Sequence, residues 1–224
     1  MSRDDLGHLI LAICMMAVAG YVDAVGFLAL GHLFVSYMSG NSTQFAVSLV
    51  HGNVVKAEKA GGIVGIYVFG VVIGHLLALR TKIWRRPAVL LLEAALLGVA
   101  LLAAPSRFAI APAVLAMGVQ NEALHRAGEI KTQLTYVTGT LVSLGEHIAS
   151  ALSGCEPEKP WLWVSYLLLW GGLIIGAFVG ARIYADRQIG ALVWPALAVL
   201  LFAAITAATA WYGRGQHSGK PEEL

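Results

Sequence analysis

Long apolar runs separated by short polar interruptions dominate the chain. Eight such runs can be marked, at about 8–30, 33–51, 61–80, 87–104, 108–127, 133–153, 161–183 and 190–211. Most approach the ~20 residues that a helix needs to cross hydrocarbon, so the pattern predicts an all-α integral membrane protein. The second and sixth runs depart from it. In the second, Leu33-Phe34-Val35-Ser36-Tyr37-Met38 is β-prone, Ser39-Gly40-Asn41-Ser42-Thr43 interrupts it, and a helical run from Gln44 to Leu49 follows. The sixth has the same order: Leu134-Thr135-Tyr136-Val137-Thr138, then Gly139-Thr140, then a helical run from Leu141 to Leu152. Ser, Thr and Asn cap helix N-termini, and Gly accepts unusual backbone angles. Each run is therefore expected to be a broken or re-entrant segment, with an extended piece leading into a half-helix. Its free N–H groups would lie at membrane depth, where only protein or water can cover them.

The likeness of these two runs belongs to a longer internal repeat. Gly20-Tyr21-Val22-Asp23 returns as Gly118-Val119-Gln120-Asn121, and Ser36-Tyr37-Met38-Ser39-Gly40-Asn41 returns as Thr135-Tyr136-Val137-Thr138-Gly139-Thr140. Gly70-Val71-Val72-Ile73-Gly74 returns as Gly172-Leu173-Ile174-Ile175-Gly176, an offset of 102 that small insertions would explain. The chain thus reads as one membrane domain, 1–224, with repeat one at about 8–104, repeat two at about 108–211 and a polar tail over 212–224. Duplication in an apolar chain marks transporter-type folds, whose site lies where the halves meet.

Composition and charge sharpen this picture. Only 12% of the 224 residues are charged and 58% are hydrophobic, against about 25% charged in soluble domains. A net charge of +2 with no basic stripe argues against nucleic acid as a partner. If all eight runs cross, the repeats are parallel, 4+4. If runs two and six turn back, each half crosses three times and the repeats are inverted, 3+3. The inverted arrangement with the N-terminus inside places ten of the fifteen Lys and Arg residues in the cytoplasm, the parallel one eight, so the positive-inside rule favours inversion. The first run exceeds the ~7–15-residue core of a signal peptide and is read as a retained membrane segment. Cys14 and Cys155 are too far apart in sequence and context to suggest a disulfide framework or a metal cluster.

Polar residues inside apolar runs are the candidates for chemistry. Asp23 stands where the second repeat has Asn121, and a carboxylate there normally faces a cavity or a partner. It could bind a proton, a cation or a polar solute, or it could hold the break in run two. The turns Ser39, Gly40, Asn41, Ser42, Thr43 and Thr138, Gly139, Thr140 could cradle a solute on two converging half-helix N-termini, or serve only as tight turns between helices. Glu146 and His147 break the repeat symmetry, standing opposite Val47 and Ser48, and with Asp23 they are the candidates for proton coupling. Glu93, mid-segment, and Glu122 and His125 near a segment end form a second rank. No P-loop, dinucleotide fingerprint, Gly-x-Ser-x-Gly or His-Glu-x-x-His motif occurs, so no enzyme, cofactor or metal is expected.

At these residues the chain resembles the YoaK-like family of small bacterial inner-membrane proteins, a domain of unknown function. The resemblance rests on Gly20-Tyr21-Val22-Asp23-Ala24-Val25-Gly26-Phe27-Leu28, on Phe34 to Thr43, on Gly118-Val119-Gln120-Asn121 and on Thr135 to Thr140, and it covers nearly the whole chain. It implies about six membrane helices and a transporter of small molecules. The strand-then-half-helix order also resembles the core of the uracil-permease and sulfate-transporter architecture. The resulting expectation is a multi-pass inner-membrane transporter or facilitator of a small polar or anionic solute, possible as a homodimer. Its rivals are a passive channel on the same architecture and a non-transporting scaffold.

Overall fold

The structure is a computed structural model and describes residues 3–104, 106, 109–123, 137–153 and 162–217. Among these, every regular element is helical. The helices are α1 (Arg3–Ala29), α2 (Met38–Val50), α3 (Val54–Thr81), α4 (Arg85–Leu102), α5 (Ile110–Gln120), α6 (Val137–Leu152), α7 (Leu162–Arg187) and α8 (Val193–His217). A 3-10 turn over Lys82–Trp84 joins α3 to α4, and another over Gln188–Leu192 joins α7 to α8. They fall close to the eight apolar runs, and the stretches Leu6–Ala29, Val54–Leu102 and Leu162–Tyr212 are long and apolar enough to cross a membrane. The chain is a membrane protein, all-helical in its regular structure over the described residues. His125, Arg126, Thr135, Tyr136 and Cys155 lie outside the described residues.

Several boundaries differ from expectation, and two of them bear on the site. α3 begins at Val54 instead of near residue 61, because Asn53 caps it by accepting the Lys56 N–H at 3.1 Å. The helix after the extended piece starts at Met38, not Gln44, so Ser39, Gly40, Asn41, Ser42 and Thr43 form the first turns of α2. Thr138, Gly139 and Thr140 likewise lie inside α6. Ser and Thr are helix-compatible here because their hydroxyls turn back onto the preceding turn. Ser42 Oγ donates to the Met38 carbonyl at 2.9 Å, and Thr43 Oγ1 to that of Ser39 at 3.1 Å. The interruption is confined to residues 33–37, which are not helical.

α2 has 13 residues and α6 has 16. At 1.5 Å per residue they reach about 20 and 24 Å, short of the ~30 Å hydrocarbon core. Each packs along the long helix that follows it, and they do not touch each other. Phe45 of α2 lies against Gly61 of α3, just across the turn that joins them, so the two helices are antiparallel. His147 of α6 stacks on Tyr166 in the first turns of α7 with ring centroids 5.2 Å apart.

Glycine sets the closest helix contacts. A Cβ on Gly176 would strike the Ala17 carbonyl, and one on Gly180 would stand 2.6 Å from that of Tyr21, so α7 lies backbone to backbone along α1 and runs parallel to it. On α3, Gly70 faces Leu115 and Gly74 faces Val119, which makes α3 and α5 parallel. The Tyr21 hydroxyl donates to the Ala191 carbonyl at 2.9 Å, so α1 and α7 end together at the turn from which α8 starts. The far half of α8, with Thr206 and Thr209, meets Lys82, Arg85 and Arg86 at the α3–α4 turn. It follows that α1, α4 and α7 run one way and α3, α5 and α8 the other. Met15, Val25, Leu90, Leu97, Met117, Val119 and Leu169, all fully buried, form the core between them.

Candidate functional site

The non-helical stretch over residues 30–37 leaves α1, doubles back along it and leads into α2. Val35 reaches the α1 backbone because Gly26 has no side chain; a Cβ there would lie 3.2 Å from Val35 Cγ2. A non-helical stretch has no ladder to satisfy its amides, and hydrocarbon offers none. Two side chains supply what is missing. Asp23 Oδ1 accepts the Val35 N–H at 2.8 Å and the Ser36 N–H at 2.9 Å, and its Oδ2 accepts the Ser36 hydroxyl at 2.9 Å. Asn41, fully buried, accepts the Phe34 N–H at 2.9 Å through Oδ1 and donates to the Phe34 carbonyl at 2.7 Å through Nδ2. Its amide thus pairs with residue 34 as a neighbouring strand would. Above it Phe27, Phe34 and Tyr37 form a chain of rings, with centroids 4.8 and 5.1 Å apart.

The start of α2 is open. Tyr37 is its N-cap residue and makes no side-chain capping bond. Met38 N–H donates to the Ser36 carbonyl at 3.0 Å and Asn41 N–H to that of Tyr37 at 3.3 Å, while the N–H groups of Ser39 and Gly40 have no acceptor among the described residues. Ser39, Ser42 and Thr43 are exposed on the protein surface and Gly40 is half-buried.

In the other half Asn121 donates to the Tyr67 hydroxyl at 2.7 Å and to the Met117 carbonyl at 3.1 Å, tying α5 to α3. Thr140 is buried, Thr138 exposed and Gly139 half-buried. Gln120, fully buried, donates to the Met15 carbonyl at 3.3 Å, and its Oε1 has no partner among the described residues. Glu122 is buried and clamped between His75 Nδ1 at 3.0 Å and Arg85 at 2.6 Å. Gln120, Tyr67 and Arg85 had not stood out in sequence. Gln120 sits one residue before Asn121 in the same motif, which was the available signal; Tyr67 and Arg85 looked like an ordinary apolar-face aromatic and a loop charge.

The proton-coupling candidates separate sharply. Glu146 is exposed on α6, and His147 Nδ1 lies 2.7 Å from the Ser143 carbonyl one turn back. Glu93 is fully buried in α4, and neither of its carboxyl oxygens has a hydrogen-bond partner among the described residues. No group of three or more His, Cys, Asp and Glu side chains is gathered around a common metal position among the described residues.

The profile of a family described as "Protein of unknown function (DUF1275)" matches residues 11–206. The chain belongs to the DUF1275 family. It is 32% identical over 203 residues to the UPF0700 transmembrane protein RA0705 of Rhizobium meliloti (strain 1021), which covers 90% of this chain and 87% of that one. To the UPF0700 transmembrane protein YoaK of Bacillus subtilis (strain 168) it is 28% identical over 156 residues, 64% of this chain and 68% of that one. The YoaK-like resemblance is therefore correct. No solved structure matches the chain significantly.

Proposed function

We propose that this DUF1275 protein is a secondary transporter or facilitator of a small polar or anionic solute in the bacterial inner membrane. The observation that carries this reading is the open N-terminus of α2, with the Ser39 and Gly40 N–H groups unpaired beside a non-helical segment. An uncapped helix start presents donors and a positive dipole end, which suits a carboxylate or another anion. The solute contacts are Ser39, Gly40, Ser42 and Thr43, with Thr138, Gly139 and Thr140 of α6 as their counterparts. Asp23 and Asn41 hold the segment in place, and Asn121 ties the second half.

Helix direction supports inverted repeats of three crossings each. α1, α3 and α4 alternate in direction, α5, α7 and α8 alternate in the opposite sense, and α2 and α6 turn back. Reciprocal contacts support the same symmetry: Gly20 of α1 abuts Leu173 of α7, and Gly118 of α5 abuts Tyr67 of α3. This pairing relates Tyr67 to Leu173 and Gly70 to Gly176, one helical turn away from the alignment of Gly70 with Gly172. The same contacts suggest which bodies would move. The α1–α6–α7 group and the α2–α3–α5 group each draw on both halves, so alternating access would rock these groups, not one repeat, against each other.

Glu93 takes the coupling role in this reading. A carboxyl group with no hydrogen-bond partner among the described residues and no exposure is costly to keep in the middle of a helix, a cost that a role in proton exchange would account for. The test is uptake into proteoliposomes across organic anions, nucleobases and amino acids, with Ser39→Pro as the diagnostic variant. Proline is tolerated in a first helical turn and deletes one of the unpaired N–H groups. Uptake should fall about tenfold with the melting temperature kept, in line with the loss of one hydrogen bond to a charged group. Flux of nothing on the panel would sink transport, and Ser39→Pro uptake equal to wild type would remove α2 from the site. Currents that persist without coupling would favour a channel.

A further inference from the structure

We propose that two single hydrogen bonds, one at each end of the molecule, latch the two rocking groups to the α4–α8 pair, so that parting one latch opens one membrane face only. In the first, Arg85 Nη2 donates to Glu122 Oε2 at 2.6 Å, which joins the first residue of α4 to the chain just past the end of α5. In the second, the Tyr21 hydroxyl donates to the Ala191 carbonyl at 2.9 Å, which joins α1 to the turn that opens α8. α4 and α8 pack on each other. The latches lie at opposite ends of α8. Ala191 stands just before its first residue, while Thr206 and Thr209, in its far half, share a cavity with Arg85 and Glu122. Each latch therefore ties a different group to the pair at a different face. Their role rests on the rocking motion put forward above and supplies what holds each face shut.

Each latch residue is seated on its own group. Glu122 is buried and held to α3 by His75 Nδ1 at 3.0 Å. The Tyr21 backbone lies so close to α7 that a Cβ on Gly180 would stand 2.6 Å from its carbonyl oxygen. The partners, Arg85 and Ala191, belong instead to α4 and to the turn before α8. Each contact is also one bond deep. Arg85 reaches Glu122 through Nη2, and its buried Nε has no acceptor among the described residues, so the pair lacks the two-point grip that arginine and carboxylate can form. Tyr21 contributes a single hydroxyl. Parting either bond leaves the ladders of the helices intact, so the change costs one contact and no helix. The charged latch also has room to part, because Arg85 and Glu122 line a cavity of about 430 Å³. Both latches are closed here, which makes this the state shut at both faces. They stand about 20 Å apart along α8, far enough to break independently.

The test is double electron–electron resonance on the full chain in nanodiscs without solute, after Cys14→Ala and Cys155→Ser remove the native thiols. Spin labels on Leu79→Cys and Tyr212→Cys report the face of the charged latch, and labels on Leu28→Cys and Trp194→Cys the face of the neutral one. All four positions are exposed. Arg85→Ala should raise the long-distance component of the first pair about tenfold, the effect of losing a hydrogen bond to a charged group, and leave the second pair as in wild type. Tyr21→Phe should do the reverse, by about fivefold for a neutral bond. Arg85→Lys keeps the charge and a donor and should lie nearer wild type than Arg85→Ala. Arg182→Ala, which breaks an exposed ion pair with Asp186, should move neither pair. A latch variant that leaves its own pair unchanged, or that moves the other pair, overturns the proposal. If Arg85→Ala does not fold, Tyr21→Phe decides alone by the same two outcomes. The distances are read without solute, so the latches can fail while uptake persists, and uptake can fail while they hold.

Discussion

Positions 23 and 41 make opposite demands on a side chain, and that contrast can be tested. Asp23 faces three donors, the N–H groups of Val35 and Ser36 and the Ser36 hydroxyl, and offers only acceptors. Asn41 faces one donor, the Phe34 N–H, and two acceptors, the Phe34 carbonyl and more weakly the Met38 sulfur at 3.8 Å. Asp23→Ala strands two backbone N–H groups, while the hydroxyl can turn elsewhere. At ~1–3 kcal/mol for each buried unsatisfied group the loss is about 2–6 kcal/mol. For a chain of this size each kcal/mol moves the melting temperature by ~2–4 °C, so a fall of at least about 4 °C is expected. Asp23→Asn keeps one acceptor oxygen for the two N–H groups, and the Ser36 hydroxyl can rotate to accept from the new amide, so it should lose less than half as much. At position 41 the isosteric change behaves differently. Asn41→Asp sets a carboxylate oxygen against the Phe34 carbonyl and should cost as much as Asn41→Ala, about 2–6 kcal/mol. The assay is thermal unfolding in detergent followed by size exclusion. The same exchange should therefore be mild at 23 and severe at 41. Equal effects at the two positions, or an Asp23→Ala melt like wild type, would falsify the view that these side chains substitute for a missing strand.

Three further outcomes follow from the same geometry. Gly176→Leu drives a side chain into the Ala17 carbonyl and should cost about 1–3 kcal/mol or more, whereas Gly171→Ala, which meets nothing within 4 Å, should be neutral or slightly stabilising by melting temperature. Glu93→Leu removes an unpaired buried carboxyl and should leave stability equal or higher by about 1–3 kcal/mol, while proton-driven uptake disappears; retained uptake would exclude Glu93 from coupling. Arg182→Cys and Lys82→Cys should be labelled by impermeant thiol reagents from opposite sides of the membrane, because α7 ends at the face opposite the α3–α4 turn; labelling from one side would undo the helix directions.

Much of the architecture was legible because apolar period and length speak directly to helices in a membrane. The eight segments could be placed with ends off by up to about seven residues, and the departure at residues 33–37 was visible in its β-branched and aromatic content. The start of α2 was misplaced because Ser, Gly and Thr were read as breakers, although their hydroxyls can bond within a helix. The register between the glycine runs was ambiguous for a simple reason. A Gly-x-x-x-Gly ladder repeats every four residues, so a slip of one turn leaves the glycines aligned, and only the partner backbone on the other helix decides. Asp23 was weighed as a brace for the break in run two, but the amides it serves, and the duty of Asn41, were hidden because those partners are backbone atoms, which carry no residue identity. Glu93 could be noticed as a carboxyl among leucines, but its lack of a hydrogen-bond partner among the described residues depends on packing that only the fold brings about.

The apposition of α1 with α7 has a consequence for how the protein is made. α1 emerges first, and its partner begins about 130 residues later. At the ~5–20 residues per second of synthesis, α1 waits on the order of 10–30 s with its close-packing face turned to lipid. That wait is tolerable because the face that meets the α7 glycines, with Ile13, Ala17, Gly20 and Tyr21, is largely apolar and its backbone is satisfied within the helix, so lipid chains can cover it at little cost. The early N-terminal half is thus an open clasp that only the later half can close. A ribosome stalled before α7 should leave α1 accessible to membrane proteases, and the completed chain should not.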